Sequence, residues 1–145
     1  MEYEARWIWV AYEALGGLRW IKMTESEIQC PSCSKRIRVQ IYNAGLGDVV
    51  PFTCVRDSTV LTVSTQDTRL TEVLGEYPSE GWTSNDYDKV EKRLIDCPCG
   101  GKFKRHALPK CPNCGTMLPV EGLARSEFLV VGRLIQGEKR SPWRG

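Results

Sequence analysis

Seven cysteines, and above all their spacing, constrain this 145-residue chain more than any other feature. Six fall into close pairs, Cys30-Pro-Ser-Cys33, Cys97-Pro-Cys99 and Cys111-Pro-Asn-Cys114-Gly115, and Cys54 stands apart. Disulfide scaffolds space their cysteines widely, because a bridge works by closing a loop. Thiolates one or two residues apart are instead placed to chelate a single ion, and an odd count leaves a thiol over in any all-disulfide arrangement. The first residues, MEYEARWIWVAYEALGG, carry Glu2, Glu4 and Glu13 and have neither a basic leader region nor a small-residue cleavage site. The reading is a reducing, cytoplasmic compartment with metal-bound thiolates.

Composition narrows the class. A chain that is 41% hydrophobic with a formal charge of +2 is too apolar and too nearly neutral to be disordered. No run of about 18 apolar residues occurs, so no membrane association through a spanning helix is expected. The near-neutrality hides an asymmetry. Residues 1–22 hold three acids and three bases, residues 23–96 twelve acids and eight bases, and residues 97–145 three acids and nine bases. An acidic middle and a basic end suggest modules with different surfaces, meeting either one another or a partner.

Hydropathy patterning divides the chain into five stretches. Residues 1–22 are aromatic-rich, and Trp7, Val10, Ala11, Ala14, Leu15 and Leu18 recur at helical spacing, predicting an amphipathic helix ended by Gly16-Gly17. This stretch reads either as part of the folded body or as an upstream extension, since Met23-Thr24-Glu25-Ser26-Glu27 looks like a chain start. Residues 23–66 read as β. Arg36–Tyr42 alternates polar and apolar, Val49–Cys54 returns with Pro51 marking an edge, and Thr59–Ser64 is rich in β-branched residues. Residues 67–96 read as a helical connector, a short helix through Leu74 stopped by Gly75 and a second capped by Thr83 or Ser84. Residues 97–118 hold the second group of cysteines. Residues 119–145 hold one expected strand, Phe128–Ile135, and a basic tail that is mobile unless Trp143 docks.

Two metal sites follow from spacing. Cys97-x-Cys99, eleven residues, then Cys111-x-x-Cys114 supply four thiolates, the donor set of a closed, tetrahedral Zn²⁺ site. Proline inside each pair pre-sets φ, and Gly115 permits the turn that aims backbone amides at sulfur. The second site would take Cys30, Cys33 and Cys54, with Asp57 standing where Cys-x-x-Cys spacing wants a cysteine. A carboxylate is an acceptable Zn²⁺ ligand. The alternatives are another fourth ligand, the single histidine His106 among them, or a site without metal.

These residues resemble the zinc-ribbon (rubredoxin-knuckle) superfamily over Cys30–Asp57 and Cys97–Cys114, with Cys-x-Cys and Asp57 as departures. They also look like small bacterial proteins that carry a Cys-Pro-x-Cys hairpin and a Cys-Pro-Cys-Gly-Gly ribbon. The resemblance implies a small, metal-stabilised α+β fold of two zinc-ribbon β-hairpin modules joined by a helical segment, and a bacterial origin. It supplies no activity, because ribbons serve many roles.

No phosphate loop, Ser-His-Asp set or paired-carboxylate motif stands out, so a non-enzymatic protein with no small-molecule substrate is expected. The favoured function is a protein–protein interaction module (regulatory, adaptor or toxin-neutralising) anchored by tryptophans such as Trp7 and Trp9. The alternative is nucleic-acid binding through a basic hairpin bearing Lys102, Lys104, Arg105, His106 and Lys110, with Phe103 to stack on bases.

Overall fold

A computed structural model of the chain describes residues 8–14, 17–43, 49–76, 81–118, 120, 123, 127–137 and 140–145, with side chains from Met23 onward. Over these described residues it is a small α+β protein, mostly sheet with two short helices. Eight strands run β1 Ile8–Ala14, β2 Gly17–Gln29, β3 Arg36–Asn43, β4 Val49–Cys54, β5 Val60–Ser64, β6 Phe103–Lys104, β7 Glu127–Val130 and β8 Leu134–Gln136. The helices are α1 Leu70–Leu74 and α2 Ser84–Arg93.

The strands form two four-stranded sheets, ordered β1-β2-β3-β7 and β6-β4-β5-β8. The first is antiparallel throughout, and in the second β8 lies parallel to β5. The expected alternation in β3 appears as burial, with Ile37, Val39 and Ile41 inside and Arg36 and Arg38 outside. One slip of register would expose the whole apolar set, so this pattern pins β3 against β2, where Glu27 faces Arg38 and Ile28 faces Ile37.

The helix expected near the start is not formed. Ile8–Ala14 is a strand paired antiparallel with Gly17–Met23, from Ile8 opposite Met23 to Ala14 opposite Gly17. Its aromatic and β-branched content suits a pleated surface, and Gly17 opens the partner strand rather than following the end of a helix. Trp7 lies outside the described residues. The single strand expected over Phe128–Ile135 is two, broken at Val131-Gly132-Arg133, with β7 joining one sheet and β8 the other.

Three apolar clusters hold the body together. The largest gathers Phe52, Leu61, Val63, Leu70, Leu74, Val90, Leu94, Phe103, Ile135 and Trp143 around the second sheet and the helices. A second joins the sheets through Met23, Tyr42, Val49, Val60, Phe128 and Val130, with the rings of Tyr42 and Phe128 stacked at 5.4 Å. The third packs Ile28, Ile37, Val39, Ile41 and Leu129 against Leu118. α2 opens on a reciprocal capping box between Thr83 and Asp86, in which Thr83 Oγ accepts from the Asp86 N–H and the Asp86 carboxylate accepts from the Thr83 N–H. The tail does dock. Trp143 is 4% exposed, its Nε1–H donates to Asp67 at 3.1 Å, and the Arg144 N–H donates to the Arg93 carbonyl.

Candidate metal centres

Each cysteine pair sits in a turn built to one hydrogen-bond recipe. In Cys30–Lys35 the Cys30 N–H donates to the Lys35 carbonyl, the Ser34 N–H to the Cys30 carbonyl and the Ser32 N–H to Cys30 Sγ. Cys111–Thr116 repeats it with Thr116, Gly115 and Asn113 in those places. So does Cys54–Thr59, with Thr59, Ser58 and Arg56. The turn at Cys97 is one residue tighter, closing on Gly101 and Gly100, with the Gly101 N–H donating to Cys99 Sγ. The residue after each second ligand position has positive φ: Ser34 (63°), Ser58 (66°), Gly100 (90°) and Gly115 (79°). Asp57 therefore occupies a cysteine's place in backbone as well as in spacing. Its Oδ1 accepts from the Thr59 N–H at 3.0 Å, two residues on, as Cys99 Sγ does from Gly101.

The four turns assemble into two groups whose donor atoms all lie within 4.8 Å of one another and could hold a metal ion: Cys30, Cys33, Cys111 and Cys114, and Cys54, Asp57, Cys97 and Cys99. The eight donors are those the spacing singled out, but they are grouped differently. Spacing joined Cys97 and Cys99 to Cys111 and Cys114, and Cys30 and Cys33 to Cys54 and Asp57. The structure instead nests one group inside the other, the first turn with the last and the second with the third. The cause is β6. Phe103 and Lys104 do not form their own hairpin; they pair with Cys54 and Thr53 at the edge of β4, which carries Cys97 and Cys99 to the β4–β5 tip. The chain then runs on to a bridge between Lys110 and Met117, which delivers the Cys111 turn to the β2–β3 tip.

The distances suit an ion. Sulfurs held tetrahedrally at about 2.3 Å from Zn²⁺ stand about 3.8 Å apart, and a carboxylate oxygen stands about 3.6 Å from a sulfur. In the outer group Cys30 Sγ lies 3.5 Å from Cys114 Sγ, and Cys33 Sγ lies 3.7 Å from Cys111 Sγ. In the inner group Cys54 Sγ lies 3.5 Å from Cys99 Sγ, and Cys97 Sγ lies 3.4 Å from Asp57 Oδ1. A disulfide needs about 2.05 Å, and all seven cysteines are free thiols. Gly101 makes room for this: a Cβ there would stand 2.6 Å from Cys54 Sγ.

Burial and local hydrogen bonds set the acidity of the donors. Burial pushes Cys97 up to about 12. The Cys33 N–H pulls Cys30 down, but desolvation and its thiol neighbours leave it raised, to about 11. Thr116, by hydroxyl and N–H, lowers Cys114 to about 6. Desolvation opposes ionisation of Asp57, yet the Thr59 N–H and hydroxyl and the neighbouring thiols bring it down to about 2. A divalent ion would supply the positive charge that lets packed thiols ionise together.

The remaining residues singled out in the sequence belong to neither group of donors. Lys102 Nζ meets Asp96 at 2.6 Å and Lys104 Nζ meets Glu91 at 3.7 Å. The Arg105 guanidinium lies 4.1 Å over the Tyr87 ring and donates to His106 Nε2. Phe103 is 2% exposed and belongs to the core, so it is not free to stack on a base. Trp82 packs on Phe52 and Tyr87. The side chain of Trp9 lies outside the described residues. Sequence reasoning missed Ser58, 4% exposed, whose Oγ accepts from the Lys110 N–H at 2.7 Å and so ties the inner group to the outer one.

Among the described residues, no helix is long and apolar enough to cross a membrane. No curated protein and no solved structure is significantly similar to the chain. Residues 26–119, which span both groups of donors and well over half of the chain, match the family DUF8255, described as a domain of unknown function. The chain belongs to that family.

Proposed function

We propose that this is a non-enzymatic, cytoplasmic zinc-binding protein of zinc-ribbon type, a small body that carries two ions and is used to bind a protein partner. The observation that carries the reading is the pair of four-donor groups, three or four sulfurs each, whose donors all lie within 4.8 Å of one another and include contacts of 3.4–3.7 Å, close to the edges of a Zn²⁺ tetrahedron. Four protein donors close a site, whereas catalytic zinc keeps a position open. Thiolate-rich donor sets favour zinc over magnesium or calcium.

For the partner, the support is the outer face of β2 and β3, where Glu25, Glu27, Arg36, Arg38 and Gln40 line a shallow groove of about 850 Å³. Such a mixed-charge face suits another protein better than a polyanion. Lys102 and Lys104, two of the five bases on which nucleic-acid binding would rest, face carboxylates of their own chain.

The test is elemental analysis together with salt-dependent retention. The expected outcome is two zinc ions per chain and no oligonucleotide shift. Absence of zinc from protein purified without chelator would sink the metal reading. Retention on heparin that falls steeply with salt, and is lost in Lys104→Glu with Arg105→Glu, would replace the protein partner with nucleic acid.

A further inference from the structure

The two groups of donors differ in one atom type and in what surrounds them. The outer group is all sulfur, with Cys30 and Cys111 buried inside the cluster of Ile28, Ile37, Val39, Ile41 and Leu118. The inner group has three sulfurs and one carboxylate. Its Cys54 and Cys97 are buried, whereas Asp57 and Cys99 are exposed. Zinc is borderline-soft and holds thiolate more firmly than carboxylate, so oxygen is the bond that opens first. Each group has a solvent-facing corner, but only the inner one has its weakest donor there.

Asp57 also keeps a partner when it lets go. Its Oδ1 accepts from the Thr59 N–H, and the turn around it is closed by the Cys54 N–H on the Thr59 carbonyl and the Ser58 N–H on the Cys54 carbonyl. None of those bonds involves the ion. The inner sulfurs of Cys54 and Cys97 are embedded in the largest apolar cluster, with Phe52, Leu61, Phe103 and Trp143. The donors are thus held in place by packing and backbone bonds, so an ion can leave and return without the site being dismantled.

We infer that the inner group is an exchangeable metal site, taking up and releasing Zn²⁺ through the Asp57 corner while the outer group keeps its ion. The inference rests on the zinc reading above. The step is a ligand exchange with no change of oxidation state. The Asp57 carboxylate leaves the metal, a water or competing donor takes its place, and the remaining thiolates take up protons as the ion departs.

The experiment is a chelator challenge of the full chain, loaded beforehand with zinc and freed of excess. With EDTA in excess, one equivalent should leave quickly and the second at least about tenfold more slowly. The far-ultraviolet circular dichroism should be retained through the first phase. Asp57→Cys should slow the fast phase by about tenfold or more, and Asp57→Asn should hasten it. Release of both ions in one phase, or a fast phase indifferent to both substitutions, would overturn the inference. Should Asp57→Cys fail to fold, cobalt-loaded wild-type protein decides the matter. The ion released first must carry the charge-transfer intensity of three sulfurs, and four-sulfur intensity would overturn it. A chain that takes up no zinc before the challenge refutes the zinc reading; one that takes up two and releases them together refutes only the exchange.

Discussion

Ser34 and Ser58 make a natural controlled pair. Both follow the second ligand position of a turn and both hold positive φ, 63° and 66°, a conformation that costs an L-residue about 1–2 kcal/mol and glycine almost nothing. Ser34 is exposed, whereas Ser58 is buried and its hydroxyl accepts the Lys110 N–H. Glycine at position 34 should therefore stabilise the metal-loaded protein by up to about 1 kcal/mol. Glycine at position 58 removes the same strain but leaves a buried donor unpaired, at about 1–3 kcal/mol, so Ser58→Gly should be neutral to destabilising. Urea denaturation of the two variants measures the contrast, and equal gains at both positions would show that the Ser58 hydroxyl contributes nothing. The eight donors were legible because three close cysteine pairs, each with a proline inside, mark their turns in the sequence, and Asp57 stands three residues after Cys54 where the same spacing wants a cysteine. Ser58 was not, because a lone serine does not announce what will face it from fifty residues away.

Among the elements, those with local causes were the readable ones. β3, β4 and β5 fall at Arg36–Asn43, Val49–Cys54 and Val60–Ser64, where alternation or β-branched residues dictate strands. α2 begins one residue after Thr83, as its cap requires. Removing the cap with Thr83→Ala should cost about 1 kcal/mol, measured as a lowered thermal midpoint with metal content unchanged. Loss of a zinc ion instead would mean that α2 positions Cys97 and Cys99 more tightly than its packing indicates. The strand Ile8–Ala14 was hidden because its apolar residues fit a helical period as well as a pleat, and only pairing with Gly17–Met23 decides between them. β6 was hidden for a different reason. Two residues carry no propensity signal, and Phe103–Lys104 is a strand only because the edge of β4 lies beside it. That short pairing is what reassigns the partners of every cysteine pair.

For the molecule as a whole, nesting makes a prediction that sequence-adjacent pairing reverses. Cys30→Ser should cost one zinc and open Cys111 and Cys114 to alkylation, while Cys97 and Cys99 stay protected. Mass spectrometry of the alkylated protein reads both pairs at once, and protection of Cys111 and Cys114 in that variant would refute the nested arrangement. The outer group draws its donors from the two ends of the segment between Cys30 and Cys114 and the inner group from within it, so no cut inside the segment yields two fragments that each hold a complete group. This has a consequence for synthesis. On a ribosome the inner donors are all present once Cys99 has emerged, but Cys30 and Cys33, the first thiols made, must wait for Cys111 and Cys114, the last. From the synthesis of Cys33 to that of Cys111 the chain therefore carries a bare dithiol at its β2–β3 tip, and on the zinc reading that dithiol has to stay reduced and unclaimed by other metals until the final turn arrives.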